Sequence, residues 1–185
     1  MHLNYTYLVV RSLVNKLNAK EIAGEVIAVT CEMRCFAEPM QTVYELQKEA
    51  EKAAMAAGDL HWACLNRMNR SLTMFHAGEK LSEVKDAVSQ ACRFTQQHNH
   101  TTALFFLLPA QRNILCLMGK ENEALSENEL ALRIYGNRNP HQRMTSAFHN
   151  LWVSYMMGGI ATLKEYAEIF FEFKETPCES YFSCQ

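Results

Sequence analysis

Apolar residues recur three or four positions apart through most of the chain, the spacing of one face of an α-helix. The stretch from Glu38 to Val84 shows the pattern best. Val43, Leu46, Ala50, Ala53, Ala54 and Ala57 form one stripe, closed by Gly58, a residue suited to the left-handed conformation that ends helices. Pro39 fits the first turn, where its missing N–H costs nothing. Asp59 is then an N-cap for a second helix with Leu60, Cys64, Met68, Leu72 and Phe75 inward, stopped by Gly78. Ser82, with Lys85 and Asp86 outward, opens a third. A pair of helices with two apolar faces is not stable alone, so the rest of the chain should repeat it.

The same spacing predicts helices before and after this stretch. Leu3 to Lys16 is apolar and β-branched enough to compete as a strand, but Arg11, Ser12 and Asn15 give it a polar side at helical spacing. Asn18 to Lys20 is a turn, and Glu21 to Phe36 carries Ile22, Val26, Val29, Met33 and Phe36 as its inward stripe. Gly24 weakens that helix by about 1 kcal/mol relative to alanine, which points to close packing. Leu81, Val84, Val88, Ala91, Cys92 and Thr95 mark the next helix, ending near His98-Asn99-His100. Thr101 can cap the helix that runs to Met118 and Gly119, with a kink about one turn before Pro109. Leu104 to Leu108 is apolar all round, so this helix should be the most buried. A shorter helix follows from Glu121 to Tyr135, then the loop Gly136 to Pro140. His141 to Met157 turns Met144, Phe148, Leu151, Trp152 and Tyr155 inward; Gly158-Gly159 breaks it. Leu163, Tyr166, Ala167 and Phe170 mark a last helix before Pro177.

The breaks are periodic. Gly78 to Gly119 is 41 positions, Gly119 to Gly159 is 40, and 40 positions before Gly78 lies Glu38 beside Pro39. Self-similarity of this length is the mark of a stacked helical-hairpin array. The expected fold is all-α: a right-handed, tetratricopeptide-like α-solenoid of antiparallel hairpins with about eight or nine helices. It forms one helical-repeat domain over 1–174, with hairpins at 20–57, 59–98, 100–135 and 140–174 and a disordered tail over 175–185. Helix 3–16 is left over as the second half of a hairpin, as in a piece of a longer solenoid. Leu8, Val9, Val10, Leu13 and Val14, with Tyr5 and Tyr7, are poor material for an outer cap at one end. Ile169, Phe170, Phe171 and Phe173 are equally poor at the other, so self-association through uncapped ends is expected.

Composition narrows the function. The 185 residues are 49% apolar, enough for a continuous core. A net charge of −2 and a pI near 6.4 argue against a nucleic-acid surface or a polybasic membrane anchor. No apolar run reaches the roughly 18 residues of a membrane span, and the amino terminus lacks the marks of a secretory signal. The cysteines are seven, an odd number, and five sit inside helical stripes. They read as small buried hydrophobes in a reducing, cytoplasmic setting.

Motifs for chemistry are sparse. Gly78-Glu79-Lys80 lacks the second glycine and the hydroxyl of a phosphate loop, and no kinase or nucleophile-elbow motif occurs. Cys31 and Cys35 share a helix face and could hold two corners of a zinc site, but the sequence supplies no convincing further ligands. His61, Cys64 and Glu32 could form a thiol–base group, although a buried helical cysteine is normally inert. His98 and His100 flank a helix junction, where a cap or an exposed loop explains them. Glu45, Lys48, Glu49 and Lys52 make a solvated face. No catalytic, cofactor or metal residue is assigned. Trp62 and Trp152 stand in the first helix of their hairpins, packed in the core or facing a groove where they would anchor a partner.

The phrases EPMQ, KAAMAAGDLHWA and FHAGEKLSEV, between Phe36 and Val84, resemble the helical-repeat region of large hybrid signalling proteins. Those proteins join a serine/threonine kinase, a predicted AAA-type ATPase and often a GAF–histidine-kinase output. The similarity covers roughly residues 20 to 120 and rests on packing and turn residues. It implies a noncatalytic scaffold or relay segment that binds a protein partner or a neighbouring domain through its concave face. An independent interaction module is the alternative, and a helical metal- or thiol-dependent enzyme using Cys31, Cys35 or Cys64 is a third reading.

Overall fold

The computed structural model describes residues 2–125 and 140–172 and is all-helical over them. The helices are α1 (His2–Lys16), α2 (Ala23–Arg34), α3 (Met40–Ala57), α4 (Leu60–His76), α5 (Leu81–Gln97), α6 (Thr101–Leu117), α7 (Pro140–Met157) and α8 (Ile160–Glu172). Single 3-10 turns at Lys20–Ile22 and Glu121–Glu123 complete the described elements. The chain divides into two compact units, 1–107 and 108–185, at a point within α6. In the first unit α1 packs on α2, α2 on α3, α3 on α4 and α4 on α5, and α2 also touches α4. In the second, α7 packs on α8. No described helix is long and apolar enough to cross a membrane.

Six helical segments stop in the same way. Asn18, Gly58, Gly78, Asn99, Gly119 and Gly158 all have positive φ, between 52° and 77°. After each, the next residue's N–H reaches back five positions: Ala19 to Val14, Asp59 to Ala54, Glu79 to Met74, His100 to Thr95, Lys120 to Leu115 and Gly159 to Ser154, at 2.9–3.2 Å. This is the Schellman closure, in which a left-handed residue turns the chain so that the last carbonyls find donors. Glycine takes that conformation freely, and asparagine is among the few side chains that tolerate it.

The packing faces depart from the periodicity in several places. On α2 the buried residues are Gly24, Ile27, Ala28, Cys31 and Arg34, while Ile22, Val29, Met33 and Phe36 are exposed. The helix is apolar on both sides, and the side with the smaller residues is the one that closes against α3. A Cβ on Gly24 would stand 2.7 Å from Ala54 Cβ, so the close packing expected there is present. On α3 Val43, Ala50 and Ala54 are buried as expected, but Ala57 is exposed and Pro39 stands at the N-cap, one position before the helix. On α4 Cys64, Met68 and Phe75 are buried, Leu60 is exposed and Leu72 half-buried. Because α2, α3 and α5 all contact α4, its buried face is broad and takes in Asn66, Ser71 and Thr73. On α5 Val84, Val88, Ala91, Cys92 and Thr95 are buried as their spacing requires.

Along α6, Ala103, Leu107, Leu108, Pro109, Ala110, Asn113, Ile114 and Leu115 are buried. The helix continues through Pro109. In α7, Ala147 is buried while Phe148 and Tyr155 are exposed, which corrects their inward placement; Tyr155 stands in the last turn, 71% exposed. The helix expected over 121–135 begins only as a 3-10 turn. Its residues from 126 onward, the loop before Pro140 and the tail from 173 lie outside the described residues.

Candidate functional site

Trp62 occupies the first turn of α4, half-buried, in a segment held by Asp59: its N–H donates to Asp59 Oδ1 at 3.0 Å, the N-cap bond that the sequence predicts. Beside it His61 is exposed and meets His100 from the start of α6, with Nδ1 of His61 2.9 Å from Nε2 of His100. The His61 ring stands edge-on to Trp62, with centroids 5.6 Å apart, and 4.9 Å from that of His100. An aromatic row thus runs from α4 to the head of α6.

His100 also takes the capping role assigned to Thr101. Its Nδ1 accepts the Ala103 N–H at 3.2 Å. A ring nitrogen that accepts from a backbone N–H carries no proton, so Nε2 is the protonated one and donates to His61 Nδ1. The His100 ring is then neutral. Desolvation, followed by the neighbouring His61, lowers the pKa of His100, and the positive end of the α6 dipole also disfavours an imidazolium there.

Two polar linkages hold α4 to its neighbours. Glu51 of α3 is buried and accepts from Nε of Arg67 at 2.7 Å and also from its Nη2; the guanidinium lies 3.9 Å over the Phe94 ring of α5. Asn66, fully buried, donates through Nδ2 to the carbonyls of Trp62 at 2.7 Å and Gly24 at 3.2 Å, tying α4 to α2. Tyr44 donates to Glu79 Oε1 at 3.0 Å. These groups fix helix positions; no substrate-sized arrangement of acid, base and nucleophile accompanies them among the described residues.

The thiol readings find no chemical support. Cys31 is buried with Sγ 3.9 Å from the Val43 carbonyl oxygen, and burial pushes its thiol up to about 12. Burial does the same to Cys92, to about 12, and Cys64, to about 11, and raises Cys35. A nucleophilic cysteine needs the opposite shift. His61, Cys64 and Glu32 share no hydrogen bond among the described residues, because Cys64 faces inward while the other two are exposed. Among those residues no group of three or more His, Cys, Asp or Glu is placed to hold a metal ion.

Trp152 lies in the second unit, half-buried on α7 and near Phe148, whose ring is 6.0 Å from that of Phe170 on α8. Arg112 of α6 donates to Asn150 Oδ1 at 3.3 Å on the same helix as Trp152. The imidazole pair is what the sequence reading missed. Its members lie 39 positions apart, about one repeat, and that equivalence was the available signal. Comparison with protein-family models, curated proteins and solved structures finds no match to this chain.

Proposed function

We propose that this chain is a noncatalytic helical-repeat scaffold, a tetratricopeptide-like α-solenoid of antiparallel hairpins that binds a protein partner or neighbouring domain. The observation that carries the reading is the rhythm of the helix stops. Gly58, Gly78, Asn99 and Gly119 follow one another at 20, 21 and 20 positions, each with the same backbone closure, and Asn18 precedes Gly58 by 40. A chain that turns at equal intervals generates helices of equal length, the condition for stacking hairpins into an array. Contact of α2 with α4 supports the same reading, since first helices of successive hairpins are neighbours in such an array. Each unit offers a half-buried tryptophan on a first helix of a hairpin as a partner anchor, Trp62 in the first unit and Trp152 in the second. The resemblance to the helical region of kinase–ATPase hybrids supports the further reading that the scaffold belongs to a signalling assembly, as a relay between a nucleotide-driven domain and its output. An enzyme using Cys31, Cys35 or Cys64 is disfavoured by thiols held in their neutral form.

Photo-reactive benzoylphenylalanine placed at Trp62, at Trp152 and, as a control, at exposed Lys52 tests this in cells. Protein adducts at the first two positions and only background at Lys52 are expected. Equal adducts at all three, or none at any, would sink the reading.

A further inference from the structure

The helix α2 carries apolar residues on opposite sides. Gly24, Ile27, Ala28 and Cys31 are buried. Ile22 before the helix, Val29 and Met33 on it and Phe36 just beyond are 43%, 41%, 53% and 90% exposed, with Val26 half-buried among them. At 100° per residue these five positions fall within an arc of about 80°. Single exposed hydrophobes are ordinary, but a continuous row along one helix marks an interaction surface.

One border of the row is charged with a single sign. Glu21, Glu25 and Glu32 are exposed and lie along the same side of it at helical spacing. None has an ion-pair partner among the described residues, whereas Glu38, Glu45, Glu49, Glu51 and Glu83 each face an arginine or lysine. The opposite border, Ala23, Thr30 and Ala37, is uncharged, and the Thr30 hydroxyl is turned back to the Val26 carbonyl at 2.6 Å.

We propose that the outward row of α2 docks an amphipathic helix from another protein, one with lysine or arginine along one border of its apolar stripe. This names the partner chemistry for the scaffold reading above and rests on it. A second copy of the chain fits less well. Pairing α2 antiparallel with itself about a two-fold axis sets both carboxylate rows on the same side, and parallel pairing sets each against Ala23, Thr30 and Ala37. Neither brings a cation from α2, whose one basic residue, Arg34, is already paired with Glu38. A basic-bordered helix covers the apolar row and meets all three carboxylates at the rim, where complementary charge sets specificity.

Two fluorescein-labelled 18-residue peptides separate the occupants. Both carry leucines at i, i+3, i+4, i+7 spacing on alanine; one has lysines along a border of the stripe, the other glutamates. Anisotropy titration with the full chain should show the lysine peptide binding at least about tenfold tighter, with the difference shrinking from about 0.05 to about 0.5 M salt. Met33→Ser with Phe36→Ser should weaken that binding at least about tenfold. Glu21→Lys, Glu25→Lys and Glu32→Lys together should invert the preference. Circular dichroism of both variants should match the parent, because every substituted side chain is exposed. Equal binding of the two peptides, binding of neither, or a preference that survives the charge reversal overturns the proposal. A dimer in sedimentation that Met33→Ser with Phe36→Ser dissolves also overturns it, making a second copy the occupant. If these results fail while photo-adducts persist at Trp62 and Trp152, the scaffold reading stands and only the α2 face is lost.

Discussion

Replacing Gly24 by alanine adds one methyl group where α2 is closest to α3. The new Cβ would lie 2.7 Å from Ala54 Cβ, and 3.0 and 3.1 Å from the Cα and N of the same residue. The last two are backbone atoms, so no rotamer change can relieve the contact and the helices must separate. Overpacking of this kind costs about 1–3 kcal/mol. Separation also strains the Asn66 bond to the Gly24 carbonyl, 3.2 Å long and made by a fully buried amide. Losing it removes one of the two bonds the Asn66 amide donates, the other going to the Trp62 carbonyl, at about 0.5–1.5 kcal/mol more. Helix propensity opposes both, favouring alanine over glycine by about 1 kcal/mol. The net expectation is a loss of about 0.5–3.5 kcal/mol. Urea unfolding followed by circular dichroism reads it as a lower midpoint at unchanged slope. Glu25→Ala, one residue on and exposed, is the control and should move stability by no more than about 0.5 kcal/mol. A Gly24→Ala chain as stable as the parent, or more so, would refute the close approach of α2 and α3.

Acid should weaken the head of α6. The pKa of His100 is lowered in the folded chain, so the unfolded chain binds more protons between that value and about 6.5; stability is full above this window and falls as pH drops through it. His100→Asn keeps an N-cap acceptor and should flatten the pH dependence of the unfolding midpoint; an unchanged slope would sink the assignment. At the alkaline end, Cys31 and Cys92 near 12 and Cys64 near 11 hold their protons when the unfolded thiols, near 9, have lost theirs, so stability should fall as pH rises above about 9. At neutral pH these three should react with an aromatic disulfide far more slowly than free cysteine, and fast labelling of any of them by peptide mapping would contradict their burial. Arg67→Ala strands the buried Glu51 carboxylate and should cost about 3–5 kcal/mol, and Arg67→Lys should recover only part of it, since lysine lacks the fork and the stacking plane; full recovery would argue against both contacts.

Helix boundaries were legible because they depend on local chemistry. A glycine or asparagine that adopts positive φ, followed by an acceptor such as Asp59, ends one helix and starts the next whatever lies around it. Breaks at Gly58, Gly78, Gly119 and Gly158 could therefore be read from residue type alone, and the all-helical character with them. Which face of a helix is buried is less local. On α5 the apolar residues occupy one side only, so spacing predicts the buried set. On α2 two apolar sides compete, and the outcome turns on which lets the backbones approach. Gly24, Ala28 and Ala54 decide it, but the participation of Ala54, thirty positions away from Gly24, is a tertiary fact.

The candidate site was less legible for the same reason carried further. Trp62 and the Asp59 cap were visible because both roles belong to a single turn. The His61–His100 pair, the Arg67–Glu51 bond and the Asn66 link to Gly24 join residues 39, 16 and 42 positions apart. Glu51 and Asn66 read as surface residues by type, since charged and amide side chains are rarely buried without partners. Their partners become visible only when three helices are in place. The inward misplacement of Ile22, Val29, Met33 and Phe36 has a functional reading too. A helix whose sequence calls for burial on two sides, and whose fold covers one, leaves the second open to the docking proposed above. The carboxylates beside that uncovered side, unpaired among the described residues, supply the sign of the charge that the proposed partner should carry.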